Sequence, residues 1–440
     1  MTKRRHIEQY QDMIARLYPE LNRHDEESRT LSRTVTFQVT DDCNLACTYC
    51  YQHNKGKRKM SFEVAKKAID NLLTGANGWD KYINPTISPA IVIDFIGGEP
   101  FLEVELMGQI IDYFRTKAIE LHHPWAKLHC FSICSNGTLY QTEKVQIFLN
   151  RYKNHLSFSV TIDGSQRLHD SCRIFPDGRP SYDLAVAAAE DWMRRGGYMG
   201  SKITIAPGNI EHVADAIIHM YDLGYDEINA NCVYEEGWAL EHAKIFYKKL
   251  KEIADFWNEK DIVESHYLSL FEEDMFRPME EDNNDNWCGG TGMMLAIDPD
   301  GYLYPCLRYM ESSIGDKQPP LRIGHVDTGL ALEECEKNCV DCLNKITRRS
   351  QSTDECFYCP IAEGCSWCSA YNYEIFGTPD ARATYICEMH KARSLANVYF
   401  WNTYYKKHNI NKAFAMHCPK EWAVPIIGSH EYEMLKSISE

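Results

Sequence analysis

Three cysteines, Cys43, Cys47 and Cys50, stand on one short stretch directly after Phe37-Gln-Val-Thr, a run that reads as the end of a β-strand. Three thiolates on one tight loop suit an iron–sulfur cluster that leaves one iron open. A structural zinc site wants four ligands, so a zinc knuckle that borrows its fourth from elsewhere is the other reading. A larger cysteine group fills the last third of the chain. Cys288 and Cys306 come first, then Cys356-x2-Cys359-x5-Cys365-x2-Cys368, then Cys387. Such uneven spacings over a long, loop-rich stretch favour iron–sulfur clusters over a zinc ribbon. Cys335-x3-Cys339-x2-Cys342 repeats the spacing of the first loop. No strand leads into it and no glycine-carboxylate motif follows, so it is not expected to repeat the chemistry of the first loop; it supplies a missing ligand, nucleates a further metal site or, among Glu333, Glu334, Glu336 and Asp341, sits as free thiols, with ligation favoured. Cys130, Cys134, Cys172, Cys232 and Cys418 stand alone and read as buried structural thiols.

The elements that position these residues follow from the pattern around them. Runs rich in β-branched and aromatic residues near 35–41, 90–96, 128–134, 157–162, 201–206 and 226–231 alternate with helical patterns such as Phe62 to Leu73 and Tyr182 to Arg194. Strand and helix in repeated alternation imply a parallel sheet with right-handed crossovers, doubly wound or closed into a full or partial α/β barrel. In a barrel the loops after the strands build one active face. The alternation ends after Asn231. Helical patterns at Trp238–Trp257 and His266–Phe271 lead to an acidic, Asn-rich stretch, 272–286, that reads as a linker; a helix over about 388–405 and a tail with Pro419 and Pro425 close the chain. The expected organisation is an N-terminal helical extension over 1–34, a partial barrel over 35–235, a helical linker over 236–286, a cysteine-rich domain over 287–390, and a C-terminal helix and tail over 391–440.

Composition bounds the function. A chain of 440 residues with 44% hydrophobic and 25% charged residues has ample core and no need of covalent staples. Its 18 cysteines follow no signal-peptide pattern, so metal is favoured over disulfides and a reducing or anaerobic cytoplasm is expected. A net charge of −16 argues against nucleic acid as main partner, and the lack of any long apolar run argues against a membrane span.

The loop Cys43-x3-Cys47-x2-Cys50, with Tyr49 before its last cysteine, resembles the signature of the radical S-adenosylmethionine (SAM) enzymes. The resemblance continues at the ends of successive strands. Gly97-Gly98-Glu99-Pro100 is similar to the family's GGEP motif, which meets the amino group of SAM. Ser135-Asn136-Gly137 and Ser159-Val-Thr-Ile-Asp163-Gly164 are similar to its polar contacts near the ribose and carboxylate, with Arg173 assigned to the carboxylate. The resemblance implies a partial (β/α)6 radical SAM barrel whose first loop holds a 4Fe–4S cluster. The later cysteines resemble the SPASM domain of peptide-modifying radical SAM enzymes. That implies auxiliary cluster I on Cys288, Cys306 and Cys368, its fourth ligand unidentified, and auxiliary cluster II on Cys356, Cys359, Cys365 and Cys387. The x2 interval before Cys368 departs from the family's usual x3.

Gln52 and the insertion before Cys356 are similar to maturases of Cys-x-x-x repeat peptides, the thioether-forming, ranthipeptide- and sactipeptide-like group. The implied reaction is a cross-link, cysteine sulfur to carbon, in a ribosomally synthesised precursor. Carbon–carbon or carbon–oxygen cross-linking is one alternative. Formylglycine formation, as in anaerobic sulfatase maturases, is another, although Leu307 stands where that branch carries an aspartate base. An electron carrier or zinc scaffold would have no use for the SAM motifs. Expected partners are a cysteine-containing precursor peptide with its leader and a reductant such as flavodoxin or ferredoxin. Residues 1–34 are too few for a leader-recognition domain, so a separate protein or another surface is expected to bind the leader; the basic loop Lys55 to Lys59 either meets an acidic peptide or is simply solvated.

Overall fold

In the computed structural model the described residues are 32–286, 288–331 and 340–440. The expected N-terminal helical extension lies almost wholly outside them, as do Cys335 and Cys339.

Four parallel strands form the heart of the molecule: β1 (Ser32–Thr40), β2 (Ala90–Gly97), β3 (His129–Ser135) and β4 (Leu156–Val160), paired in that order. Helices α1 (Phe62–Thr74), α2 (Val104–Glu120) and α3 (Glu143–Tyr152) make the crossovers. Alternation along the strands fixes which face they cover. Val35, Phe37 and Val39, Ile91, Ile93 and Phe95, and Phe131 and Ile133 are buried on the helix side. The intervening positions carry a polar row, since register puts Thr36, Asp94, Ser132 and Ser157 side by side across the opposite face. A parallel sheet buried on both faces would be apolar on both, so this polar row marks a lumen rather than a second core.

The alternation continues through α4 (Gln166–Cys172), α5 (Tyr182–Arg194), β5 (Gly200–Ile205), α6 (Val213–Asp222), β6 (Glu227–Cys232) and α7 (Leu240–Lys260). Helix α5 is capped from a distance: Asp170 Oδ1 accepts from Ser181 N at 3.0 Å and Tyr182 N at 2.9 Å. The six expected strands are present but not in one ladder, because β5 and β6 form a separate sheet with β7 (Tyr267–Leu268). The helix expected over His266–Phe271 is thus a strand. Six residues are too few for a stable helix, and the Tyr267 and Ser269 amides bond instead to Asp226 O and Ile228 O at 2.8 and 3.0 Å.

The cysteine-rich region does not stand apart. Strand β8 (Met294–Ile297) pairs parallel with Thr34–Phe37 of β1, and β9 (Tyr302–Tyr304), β10 (Gly324–His325) and β11 (Gly329–Leu330) extend the same sheet antiparallel. Arg58 strengthens the seam, pairing with buried Asp41 at 2.6 Å and with Asp300 and Glu311 at 2.8 and 3.2 Å. Two of the basic-loop cations are thus paired with carboxylates, Arg58 half-buried and Lys59 exposed beside Glu103. The stretch read as a linker is packed: Phe276 is buried, and Arg348 N bonds to Asn284 O at 3.1 Å.

Helix α8 (Ser369–Phe376) follows the thiol run, and α9 (Cys387–Lys407) packs along α7, with Phe400 stacked 4.1 Å from Phe271. The expected tail is a helix, α10 (Lys420–Ser439), interrupted at Gly428. Pro419 precedes it, where a proline suits a helix start, and exposed Glu421 has the carbonyl that Pro425 leaves unpaired. Among the described residues no helix is long and apolar enough to cross a membrane.

Candidate active site and thiol groups

The first thiol loop leaves β1 and is held to the end of β2 by main-chain bonds. Gly98 N donates to Thr40 O at 3.1 Å and Glu99 N to Asp42 O at 2.9 Å. Only glycine permits this approach, because a Cβ at Gly98 would lie 2.3 Å from Asp42 O and 2.6 Å from Cys43 Cβ. Gln52 ties the far side of the loop to Gly97 O at 3.1 Å. Pro100 then starts a short 3-10 turn in which the Glu99 side chain accepts from Phe101 N.

Glu99 is 1% exposed. Its Oε1 accepts from Phe101 N at 3.1 Å and Ser135 Oγ at 2.7 Å, and its Oε2 from Asn136 N at 2.8 Å. Burial pushes its carboxyl upward while these donors act in opposition. A carboxylate so placed beside Cys43 retains acceptor capacity on Oε2 for one further donor, as a ligand ammonium would be. Asn136 serves a different end. Its side chain donates to Asn44 Oδ1 at 2.8 Å, and Asn44 donates to Thr138 Oγ1 at 2.7 Å, so the end of β3 braces the thiol loop. Asn44 and Thr138 carry no sequence signal of their own; only the fold brings them together.

On the other flank, Tyr49 donates its hydroxyl to Asp163 Oδ2, which also accepts from Arg173 Nε at 2.9 Å. The Arg173 guanidinium carbon lies 5.3 Å from the Tyr49 ring centroid, and its Nη1 is 3.9 Å from Cys47 Sγ. Asp163 Oδ1 is buried without a partner among the described residues. His169 backs this group, its Nε2 3.0 Å from Ser181 Oγ, and burial lowers it to about 4, so the imidazole is neutral. Ser159 is half-buried on β4, opposite Cys134. A cleft of about 390 Å³ opens beside Tyr49, lined by Thr48, Arg167, Asn209 and His212 among others.

The three thiols of the loop act on one another electrostatically, and burial pushes Cys43 up to about 11 and Cys47 upward, with Arg173 opposing at Cys47. Half-buried thiols gathered near two cations, Arg173 and Lys55, become thiolates when a metal supplies the missing positive charge.

The later cysteines fall into the two expected groups. Cys288 and Cys306 flank Gly290, where a Cβ would lie 3.5 and 3.3 Å from their sulfurs, and Cys368 faces both. Cys356, Cys359, Cys365 and Cys387 form the second group, each within electrostatic reach of the others. Among the described residues no three His, Cys, Asp or Glu side chains converge on a single ion. Tetrahedral zinc would draw thiolates to roughly 3.8 Å of one another, twice the leg of a 2.3 Å bond at the tetrahedral angle, whereas a four-iron cluster holds them further apart. The donor sets fit such clusters. Cys342 is described, half-buried, on a short helix from Val340; its two companions lie outside the described residues. Of the isolated cysteines, Cys232 and Cys418 are buried and Cys130 and Cys172 half-buried. Cys134 departs from expectation: it is exposed on the lumen face, 3.4 Å from Thr161 Oγ1, because alternation on β3 turns it away from the helices.

The 4Fe-4S single cluster domain family matches residues 32–170. The cysteine-type anaerobic sulfatase-maturating enzyme of Clostridium perfringens is 25% identical over 292 residues, 62% of this chain and 73% of that one. Two other curated relatives are matched over less than half of their length, 44% and 31%. The solved structure of anSMEcpe with bound AdoMet and a peptide superposes with a TM-score of 0.59 at 18% identity, over 86% of this chain and 98% of that one. Streptococcus suis SuiB bound to its precursor peptide SuiA gives a TM-score of 0.52 at 13% identity, over 82% and 76%. The chain thus has the mixed α/β fold of radical SAM enzyme structures.

Proposed function

We propose that this chain is a radical SAM maturase that modifies a peptide or protein substrate. The observation that carries the reading is the docking of the Cys43–Cys50 loop onto Glu99, which puts three thiols and one buried carboxylate at the mouth of a polar-lined barrel. Together with a reduced 4Fe–4S cluster, SAM supplies a 5′-deoxyadenosyl radical that takes a substrate hydrogen. Cys43, Cys47 and Cys50 would hold that cluster. Glu99 orients the ammonium of SAM. Arg173 is already paired with Asp163 beside Cys47, so it meets a ligand carboxylate as one member of a charged group rather than as a free cation. Tyr49 and the cleft beside it accommodate the rest of SAM, and the surrounding barrel excludes water from the radical. The two C-terminal thiol groups would hold auxiliary clusters, giving three in all.

The substrate is proposed to be a ribosomally synthesised, cysteine-containing precursor, and the product a thioether from cysteine sulfur to carbon. Both structural neighbours hold a peptide, which supports a peptide substrate. A second reading has equal support from the comparisons: oxidation of a cysteine or serine to formylglycine, after the sulfatase-maturating relative. Against it, Leu307 follows Cys306. Half-buried Asp94, in the polar row of the lumen face, offers a carboxylate to either reaction.

The deciding experiment treats a cysteine-repeat peptide and a sulfatase-derived peptide with the reduced, iron-loaded chain and SAM. Cross-linking lowers the peptide mass by about two units per bond and removes thiol reactivity toward alkylating reagents. Formylglycine instead gives an aldehyde that couples to a hydrazine. Mass loss with every cysteine still alkylated and no aldehyde would point to carbon–carbon or carbon–oxygen bonds.

A further inference from the structure

The two C-terminal thiol groups differ in the charge that faces them. Beside the inner group stands Arg308, whose guanidinium acts on Cys368 but is paired with Glu235 at 3.0 Å. Another close polar neighbour is the hydroxyl of Tyr309, which is fully buried and without a partner among the described residues. The inner group therefore sees a compensated cation and a neutral phenol.

The outer group sees something else. The Arg382 guanidinium carbon lies 3.7 Å from the ring centroid of Trp367, which stands between Cys365 and Cys368 in the chain. Both Nε and Nη2 of Arg382 are buried, and neither has a hydrogen-bond partner among the described residues. A guanidinium with two buried, unmet N–H groups is strongly disfavoured unless an anion meets it. Its charge reaches the thiols Cys365 and Cys359, the imidazole of His390 and the guanidinium of Arg348, and of these only the thiols turn anionic. The other cation near the group, Lys391, is paired with Glu388 at 2.7 Å.

We propose that Arg382 donates its two unmet N–H groups to the thiolates of the outer group, Cys356, Cys359, Cys365 and Cys387, and thereby makes the outer site the more easily reduced of the two C-terminal sites. The proposal rests on the reading that both groups hold iron–sulfur clusters. A positive charge in a weakly screening interior favours the reduced, more negative cluster, and hydrogen bonds to cluster sulfurs act in the same direction. At the inner site the Arg308 charge is met by Glu235, and the neighbouring hydroxyls of Tyr309 and Tyr234 are neutral.

The test is a redox titration followed by electron paramagnetic resonance, on anaerobically reconstituted full-length chain with Cys43, Cys47 and Cys50 changed to Ala so that only the C-terminal sites give signal. Two signals are expected, and adding Cys387→Ala identifies the outer one by its loss. With Arg382→Gln the outer signal should titrate at a lower potential at unchanged iron content, while the inner signal stays in place and Arg382→Lys restores most of the difference. Arg382→Met keeps an apolar contact on Trp367 and gives the same comparison if the Gln variant binds less iron. Unchanged potentials at full iron content, or a shift confined to the inner signal, would overturn the proposal. A parent protein holding zinc at these cysteines would overturn the cluster reading itself, and that result is visible before Arg382 is touched.

Discussion

The guanidinium carbon of Arg308 lies 5.7 Å from the ring centroid of Tyr51, the residue that follows the last thiol of the first loop. Tyr51 is within electrostatic reach of Cys50, Cys134 and Asp94, and Arg308 within reach of Cys368. One cation–π contact therefore joins the mouth of the barrel to the inner thiol group. In the proposed function this contact keeps the inner thiol group in register with the barrel mouth. Arg308→Met should leave SAM cleavage in the absence of peptide unchanged and reduce peptide modification about tenfold or more, because what is lost is positioning. Equal loss of both activities would show that Arg308 serves the first loop alone. Parallel assays of 5′-deoxyadenosine and modified peptide separate the two.

Glu99→Gln should weaken SAM binding by roughly 1.5–3 kcal/mol, the worth of a charge-assisted hydrogen bond. The structure adds a second effect. The new amide hydrogens must lie against donors, since Phe101 N, Ser135 Oγ and Asn136 N all point at the carboxylate. Thermal stability should therefore fall along with affinity while iron content is kept. Calorimetric titration with SAM and a melting curve check the two effects separately.

Gly98→Ala should cost the first cluster and spare the others. A Cβ there would collide with the Asp42 carbonyl, which accepts from Glu99 N, and with Cys43, so the loop must move away from Glu99. Iron analysis should show about one cluster fewer than the parent. Full iron content with normal SAM binding would contradict the docking argument.

Much of this arrangement was legible in the sequence, and the failures have physical causes. The strands, the thiol loop and Glu99 announce themselves because period-two hydrophobicity and clustered cysteines are local signals. The pairing of β8 with β1 does not, since a four-residue strand carries no information about its partner. The helix expected over His266–Phe271 fails for the same reason, since so short a run fixes no period and the edge of β6 decides it. Arg382, Arg308 and Asn44 were invisible because their roles come from neighbours distant in the chain, and no spacing rule links Asn44 to Asn136 or Arg308 to Tyr51.

Stability should fall between pH 6.5 and about 4 through two buried histidines. His169 and His390 are both lowered to about 4, chiefly by burial, so in this window the unfolded chain binds protons that the folded chain does not. Stability then rises with pH across the window, is fully present above the unfolded value and falls away toward 4, with up to roughly 3 kcal/mol at stake per histidine. Urea unfolding of the chain at about pH 7 and about pH 5 checks the direction, and His169→Gln should flatten the dependence.

The most direct test of the account is the cleavage of SAM by the iron-loaded, chemically reduced chain, followed by chromatography of 5′-deoxyadenosine. The account predicts steady release of 5′-deoxyadenosine, abolished when Cys43, Cys47 and Cys50 are changed together to Ala while the C-terminal iron remains. Full iron loading with no 5′-deoxyadenosine, or release that survives loss of those three thiols, would contradict it.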